Sequence, residues 1–490
     1  MKVAVLICVA AVSAFAGAGQ THAAARPNIV YILCDDLGIG DVHAFNPDRG
    51  KIATPSIDRL AAEGMMLTDA HTSSSVCTPS RYSILTGRYA WRTRLQSGVL
   101  WGKGAPLIAE GRPTVASFLK EQGYATACLG KWHLGLGFAD EEYTAPLTDS
   151  PIDHGFDYFF GISASLDIPP FAWIENRRFT EVPSVKKTFY REGEAAPGFE
   201  AVDVLPTLTD RAVAYVREHA PRDEPYFLYL PYASPHTPIV PTEEWRGRSG
   251  LGDYADFVMQ TDHSIGQVME AIDASGEADN TIVIVTSDNG FAPAAGVERH
   301  EDNGHFPSAG FRGYKADVWE GGHRVPLVVR WPAVVAAGSR SEQLVGLIDL
   351  FATVADVLEQ DPPAGAAEDS VSLLPILQGH DEPVRDSTIH HSIDGCFALR
   401  DGAWKLARCA GSGGWAQPRE KQAAQQGLPP VQLYNLTADI AEQHNLQAER
   451  SDVVERMNTK LTEAVRSGRT TPGGPAENDV PVTIDKKPKK

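Results

Sequence analysis

The chain alternates between short unbroken apolar runs and longer stretches with helical spacing. Residues 28–34 read Asn-Ile-Val-Tyr-Ile-Leu-Cys, 124–129 Tyr-Ala-Thr-Ala-Cys-Leu, 225–230 Pro-Tyr-Phe-Leu-Tyr-Leu, and 281–286 Thr-Ile-Val-Ile-Val-Thr. Runs of this kind predict strands covered on both faces, and 323–329 reads as another. Helical patterns fall between them. One opens at Thr54-Pro55 and stops at Gly64. One follows Pro79 and ends at Gly87. Another runs 114–122 with Val115, Phe118 and Leu119 inward, and two more cover 207–219 and 254–275. Strands alternating with helices predict an α/β fold with a sheet covered on both faces. Residues 140–202 are irregular and rich in aromatics and prolines, and read as surface loops.

The pattern changes near Ala364-Gly365-Ala366-Ala367 and the Pro375 turn. Beyond it, 387–393, 396–400 and 403–408 read as short antiparallel strands, with Asp394-Gly395 and Asp401-Gly402 as hairpin turns. Residues 452–466 form a helical stripe with Val453, Met457, Leu461 and Val465 on one face. The division is 1–25, a signal peptide; 26–370, an α/β domain; 371–469, a smaller α+β subdomain; and 470–490, a disordered tail ending in Lys486-Lys487-Pro488-Lys489-Lys490. No internal repeat is evident. Asn435-Leu436-Thr437 matches a glycosylation pattern but reads as a plain turn.

Composition narrows the picture. A chain of 490 residues with 43% hydrophobic and 22% charged residues suits a globular protein of two domains. A formal net charge of −19 argues against nucleic acid or an anionic membrane surface as partner. Lys2, the apolar run that follows and Thr21-His22-Ala23-Ala24-Ala25 predict a cleavable export signal, hence a secreted or periplasmic protein without stable membrane insertion. Removal of that signal leaves Cys34, Cys77, Cys128, Cys396 and Cys409, too few for a disulfide scaffold. Cys34 and Cys128 lie in apolar runs and read as buried thiols, while Cys396 and Cys409 are a candidate pair across a C-terminal hairpin.

The candidate chemistry clusters at the strand ends. Asp35-Asp36, Lys131 with His133, His236 in its proline-framed loop, and Asp288-Asn289 each follow an apolar run. In open α/β sheets, ligands bind beyond the carboxyl ends of strands. Adjacent carboxylates there repel one another unless a cation lies between them. Asp35, Asp36, Asp288 and Asn289 offer only oxygen, which suits Ca²⁺ or Mg²⁺ better than zinc. In a strand-like segment Lys131 and His133 would project to one side.

Ser75-Val76-Cys77-Thr78-Pro79-Ser80-Arg81, continuing to Leu85-Thr86-Gly87-Arg88, places Cys77 just ahead of a predicted helix N-terminus, which favours an anion, with Arg81 four residues on. A buried cysteine before an ordinary helix is the alternative. The string as a whole resembles the signature of the formylglycine-dependent sulfatases, Cys-x-Pro-Ser-Arg followed by Leu-Thr-Gly-Arg, and the resemblance extends over nearly all of the mature chain. It implies an alkaline phosphatase-like α/β fold and conversion of Cys77 to formylglycine, whose hydrated aldehyde is the nucleophile. It also implies one calcium ion held by Asp35, Asp36, modified Cys77, Asp288 and Asn289, and a polar catalytic set of Arg81, Lys131, His133, His236 and Lys315.

By that resemblance Asp288 accepts a proton from the diol and Arg81 orients it. Lys131 and Lys315 hold the sulfate, His236 protonates the leaving alcohol, and His133 helps regenerate the aldehyde. Tyr89-Ala90-Trp91-Arg92-Thr93-Arg94 and Gly313-Tyr314-Lys315-Ala316-Asp317 resemble carbohydrate sulfatases acting on 6-O-sulfated galactose or N-acetylgalactosamine. The expected partners are a sulfated mono- or oligosaccharide and, during biosynthesis, a formylglycine-generating or anaerobic sulfatase-maturating enzyme. Asp167, His300 and Arg312 are the expected sugar contacts. The alternatives are a broad arylsulfatase, a phosphoester or phosphonate hydrolase of the same superfamily, and a non-catalytic sulfated-glycan binding protein with Cys77 unconverted.

Overall fold

This computed structural model describes residues 26–485. The signal-peptide reading of 1–25 and the final tail residues 486–490 lie outside them. The apolar runs form strands β1 (Asn28–Cys34), β3 (Ala125–Lys131), β9 (Tyr226–Pro231) and β10 (Thr281–Ser287). With β2 (Met65–His71), β4 (Tyr158–Ile162), β5 (Ile174–Glu175), β6 (Arg178–Phe179), β11 (Leu327–Arg330) and β12 (Ser339–Gly346) they build a ten-stranded sheet, ordered β12-β2-β11-β10-β1-β9-β3-β4-β5-β6. Neighbours from β10 to β4 are parallel. The β11, β5 and β6 pairings are antiparallel.

The unbroken apolar run of β1 feeds two cores at once, because successive side chains point to opposite faces. Val30, Ile32 and Cys34 pack with helices α1 (Pro55–Glu63), α4 (Val204–His219) and α5 (Asp253–Ser275). Ile29, Tyr31 and Leu33 pack with α2 (Cys77–Thr86) and α3 (Val115–Glu121). A second, antiparallel sheet joins β13 (Ser387–His391), β14 (Phe397–Asp401), β15 (Trp404–Ala407) and β16 (Gln432–Asn435). The helix Ser451–Arg466 covers it with Val453, Met457, Leu461 and Val465, all buried, as its spacing predicts. Cys396 and Cys409 form a disulfide, and among the described residues Cys34 and Cys128 are free and buried. At the 435–437 turn, Asn435 Oδ1 accepts the Thr437 N–H at 3.2 Å.

Several expectations are corrected. Residues 140–202 are not only loops: β4, β5 and β6 extend the main sheet, and β7 (Val185–Thr188) pairs with β8 (Glu192–Ala195) as a hairpin. The strand expected at 323–329 begins at Leu327, after a short helix, Glu320–His323. Pro326 has no N–H to give a ladder, which favours the late start. The expected disorder from Thr470 does not hold for 470–485. The Glu477 carbonyl accepts from Arg88 at 2.9 Å, Asn478 Oδ1 from Arg92 at 3.0 Å, and Val482 and Ile484 pack on the second-sheet core.

Candidate functional site

Strands β10, β1, β9 and β3 lie side by side and parallel, so the residues after each meet at one edge. Cys34 is level with Ser287 and Leu33 with Pro231. The segments past the strands are tied together: the Asp35 N–H donates to the Ser234 carbonyl at 2.9 Å, and the Asp288 N–H to that of Cys34 at 3.1 Å. This brings Asp35, Asp36, Lys131, His236, Asp288 and Asn289 into one buried cluster.

Cys77 is not ahead of its helix but its first residue, with Val76 as the cap and Gly87 closing the far end at φ 64. Cys77 Sγ and one oxygen each of Asp35 and Asp288 lie within 4.8 Å of one another. Burial pushes the thiol pKa up, opposed by Lys131 and Lys315. One turn on, Arg81 donates through Nε to Asp288 Oδ2 at 2.9 Å, and its Nη2 lies 2.8 Å from the same oxygen. The Lys315 loop closes over Cys77 because the Ala316 N–H donates to the Ser75 carbonyl at 2.8 Å.

The three carboxylates face three cations. Lys131 Nζ is 2.7 Å from Asp35 Oδ2, Lys315 Nζ donates to Asp36 Oδ1, and Arg81 holds Asp288. Burial alone would raise the Asp35 pKa, but Lys131, His236, Arg81 and Lys315 hold it well below the usual range. For Asp288, burial and the Asp35 charge prevail, pushing it up to about 6 against Arg81 and Lys131. For Lys315 burial acts downward, but Asp36 leads the charges that lift its pKa above the ordinary value.

His236 Nδ1 donates to the Thr237 carbonyl at 2.5 Å, leaving Nε2 toward the site, 3.5 Å from Asp36 Oδ2. His133 does not continue the strand beyond Lys131: its φ is 56. Its Nε2 donates to the Leu100 carbonyl at 2.8 Å, leaving Nδ1 buried without a hydrogen bond among the described residues. Burial, reinforced by Lys131, depresses its pKa and keeps the imidazole neutral.

The donor set fits a hard cation. Asp35 Oδ1, Asp36 Oδ2 and Asn289 Oδ1 are buried oxygens that accept no hydrogen bond from the described residues, in company with Asp288.

The expected sugar contacts fare unevenly. Asp167 lies at the site, with Oδ1 4.0 Å from His236 Nδ1. His300 is fully buried against Tyr254, Phe291 and His305, so it cannot reach a sugar. The Arg312 guanidinium lies 3.6 Å over the Trp319 ring and donates to Tyr434 Oη at 3.1 Å, so its contacts tie its own loop to the second sheet. Sequence reasoning missed a brace behind Asp36. Asp41 Oδ2 accepts from the Gly38 N–H at 2.8 Å and from Tyr254 Oη at 2.5 Å, and Asp41 Oδ1 faces His305 Nε2 at 2.8 Å. Its one signal was an acidic residue closing the Gly38-Ile39-Gly40 loop.

Comparison with known proteins agrees with this geometry. The family model described as Sulfatase matches residues 27–360. An N-acetylgalactosamine-6-O-sulfatase of Bacteroides thetaiotaomicron is 32% identical, covering 90% of this chain and 93% of its own. The human N-acetylgalactosamine-6-sulfatase is 32% identical over 75% of this chain and 69% of its own. A solved structure from work on the metabolism of multiple glycosaminoglycans by B. thetaiotaomicron superposes with a TM-score of 0.80 at 32% identity, covering 90% of this chain and 99% of that one. The phosphonate monoester hydrolase of Agrobacterium radiobacter, at 18% identity and a TM-score of 0.58, covering 89% of this chain and 95% of its own, shares the fold alone.

Proposed function

The chain belongs to the sulfatase family and is a sulfuric ester hydrolase of alkaline phosphatase-like fold, and from that premise we propose exo-acting removal of 6-O-sulfate from galactose or N-acetylgalactosamine units of sulfated glycans. The observation that carries the site assignment is Cys77 at the start of α2, clustered with Asp35 and Asp288 and flanked by Lys131 and Lys315. The two relatives named for N-acetylgalactosamine 6-sulfate support the sugar and the position.

Asp35, Asp36, Asp288 and Asn289 would hold calcium, and Cys77, once converted by a formylglycine-generating or anaerobic maturating enzyme, would carry the aldehyde. When bound, these groups supply Lewis-acid stabilisation and an oxygen nucleophile. The remaining work belongs to the chain's own side chains. Arg81 fixes Asp288 so that a carboxylate oxygen is placed to accept the nucleophile's proton. Lys131 and Lys315 bind the sulfate oxygens by charge-assisted hydrogen bonds. His236, its Nδ1 engaged by the Thr237 carbonyl, gives a proton from Nε2 to the departing alcohol. Neutral His133, with Nδ1 free, accepts the proton whose removal releases sulfate.

Asp167, with Oδ1 4.0 Å from His236 Nδ1, would take a sugar hydroxyl. Export to a secreted or periplasmic compartment is part of the same reading. The Cys396–Cys409 disulfide supports it, since such bonds persist in oxidising surroundings. No helix among the described residues is long and apolar enough to cross a membrane.

A panel of monosaccharides sulfated singly at O2, O3, O4 or O6, assayed for released sulfate, tests the proposal. The 6-sulfates should be turned over fastest. A pocket fixed around one position leaves its own polar groups unpaired against another isomer. A best substrate sulfated at O2, O3 or O4 would overturn the position.

A further inference from the structure

At the rim of this site stand side chains that the reaction above does not use. Leu100 is pinned between the nucleophile helix and His133. Its N–H donates to Thr78 Oγ1 at 3.2 Å, and its carbonyl accepts from His133 Nε2. The next residue, Trp101, is 59% exposed, the most of any large hydrophobic side chain among the described residues. Tyr190, in the turn between β7 and β8, is 55% exposed. Arg191 lies against both rings, with its guanidinium carbon 5.3 Å from the centroid of Trp101 and 5.4 Å from that of Tyr190. Through Nη1, Arg191 also holds Asp167, at the carbonyl (3.2 Å) and at Oδ2, while the other Asp167 oxygen faces His236. A continuous set of contacts therefore joins the leaving-group histidine to two exposed aromatic rings.

These loops are locked in place. A Cβ on Gly102 would stand 1.9 Å from the Pro169 carbonyl oxygen, and one on Gly193 2.2 Å from the Pro169 ring. Lys103 pairs with Glu194 at 2.9 Å, and the Phe171 N–H donates to the Glu194 carbonyl at 2.8 Å. Single exposed aromatics need no explanation. Two of them in contact with one arginine, on fixed loops beside the active site, form a preorganised surface. Sugar rings present flat C–H faces that such rings cover, and amphipathic Trp and Tyr suit a wet interface. Among the described residues Arg191 makes its hydrogen bonds through Nη1, so Nε and Nη2 remain to meet an anion.

We propose that Trp101, Tyr190 and Arg191 form a second sugar subsite, which takes the neighbouring ring of the same glycan when that ring carries a carboxylate or a sulfate. This rests on the sulfatase reading above and deepens it. It makes an acidic disaccharide, rather than a lone sulfated sugar, the preferred ligand.

The test is calorimetric titration of full-length Cys77→Ala protein, which cannot turn over, with four ligands: 6-sulfated N-acetylgalactosamine alone, and linked to a uronic acid, a sulfated neutral sugar or an unsulfated neutral sugar. At least one acidic disaccharide should bind about tenfold tighter than the monosaccharide. The uronate and sulfate arms identify the anion. Adding Trp101→Ala should abolish that advantage, and Trp101→Phe should restore most of it. Equal binding of mono- and disaccharides, an advantage untouched by Trp101→Ala, or no binding by any disaccharide would overturn the subsite. Failure of the sulfatase reading has a separate signature, absence of sulfate release by converted wild-type protein, and the binding ratios decide the subsite in either case.

Discussion

Lys131 Nζ lies 2.7 Å from Asp35 Oδ2, and both side chains are completely enclosed. Lys315 is likewise paired with Asp36, both side chains buried. The two lysines assigned to sulfate are thus also the counter-charges of two assigned metal ligands. A dication among Asp35, Asp36 and Asp288 would take over that role and leave the ammonium N–H groups for an anion. Calcium and sulfate should therefore raise each other's affinity, by roughly tenfold within the usual range of coupling. Titrating sulfate by thermal shift with and without calcium checks this, and additive shifts would refute it.

Calcium itself should stabilise the fold, since a ligand bound only by the native state adds about 2.7 kcal/mol at a hundred times its Kd. Asp288→Ala should lose most of that calcium response together with activity. A variant whose melting still rises with calcium as in wild type would remove Asp288 from the ligand set.

His236→Ala should cost about 10²–10⁴-fold on a sugar sulfate, the usual worth of general acid catalysis. An aryl sulfate with a good leaving group needs little protonation and should lose far less. The kcat/KM ratio of the two substrates is the readout, and equal losses would exclude the acid role.

The signals that made this site legible were local. Asp35-Asp36 and Asp288-Asn289 follow apolar runs that read as covered strands, and a parallel sheet then dictates that their ends meet. Loop side chains carry no such constraint. Arg312 follows Phe311 in a glycine-rich loop, and nothing in that string says that its guanidinium turns onto Trp319. His300 lies on the short helix Val297–Asp302, which buries it against Tyr254. β12 escaped notice because Ser-Arg-Ser-Glu-Gln-Leu-Val-Gly is an edge strand and largely polar. The tail looked disordered because its anchors, Val482 and Ile484, are isolated among polar residues and prolines, and the partners of Asn478 and Asp479 are arginines hundreds of positions away.

The seam between the two sheets gives a stability test independent of catalysis. Lys405 Nζ is 3.0 Å from Glu320 and 2.8 Å from Glu442, all three fully buried. Burial raises the Glu320 carboxyl pKa, but Lys405, His71 and His323 outweigh it and hold it well below its ordinary value. Glu442, opposed by burial and by Glu320, is pushed up to about 7 despite Lys405. The depressed Glu320 contributes stability above its unfolded pKa, which is lost as pH falls through the folded value. The raised Glu442 does the reverse, weakening the fold as pH climbs from its ordinary value toward 7. Lys405→Met should cost about 3–5 kcal/mol at neutral pH by stranding buried carboxylates. Glu442→Gln should cost little there and flatten the decline between roughly pH 5 and 7. Denaturant melts across that range decide it, and equal destabilisation by Glu320→Gln and Glu442→Gln would contradict the assignment.

The account as a whole turns on Cys77. Peptide mass spectrometry of the segment containing it, on preparations that differ in sulfatase activity, is the most direct measurement. The predicted result is an aldehyde in place of the thiol, in a fraction that tracks specific activity, with Cys77→Ala inactive. Full turnover by protein whose Cys77 remains an unmodified thiol would contradict it.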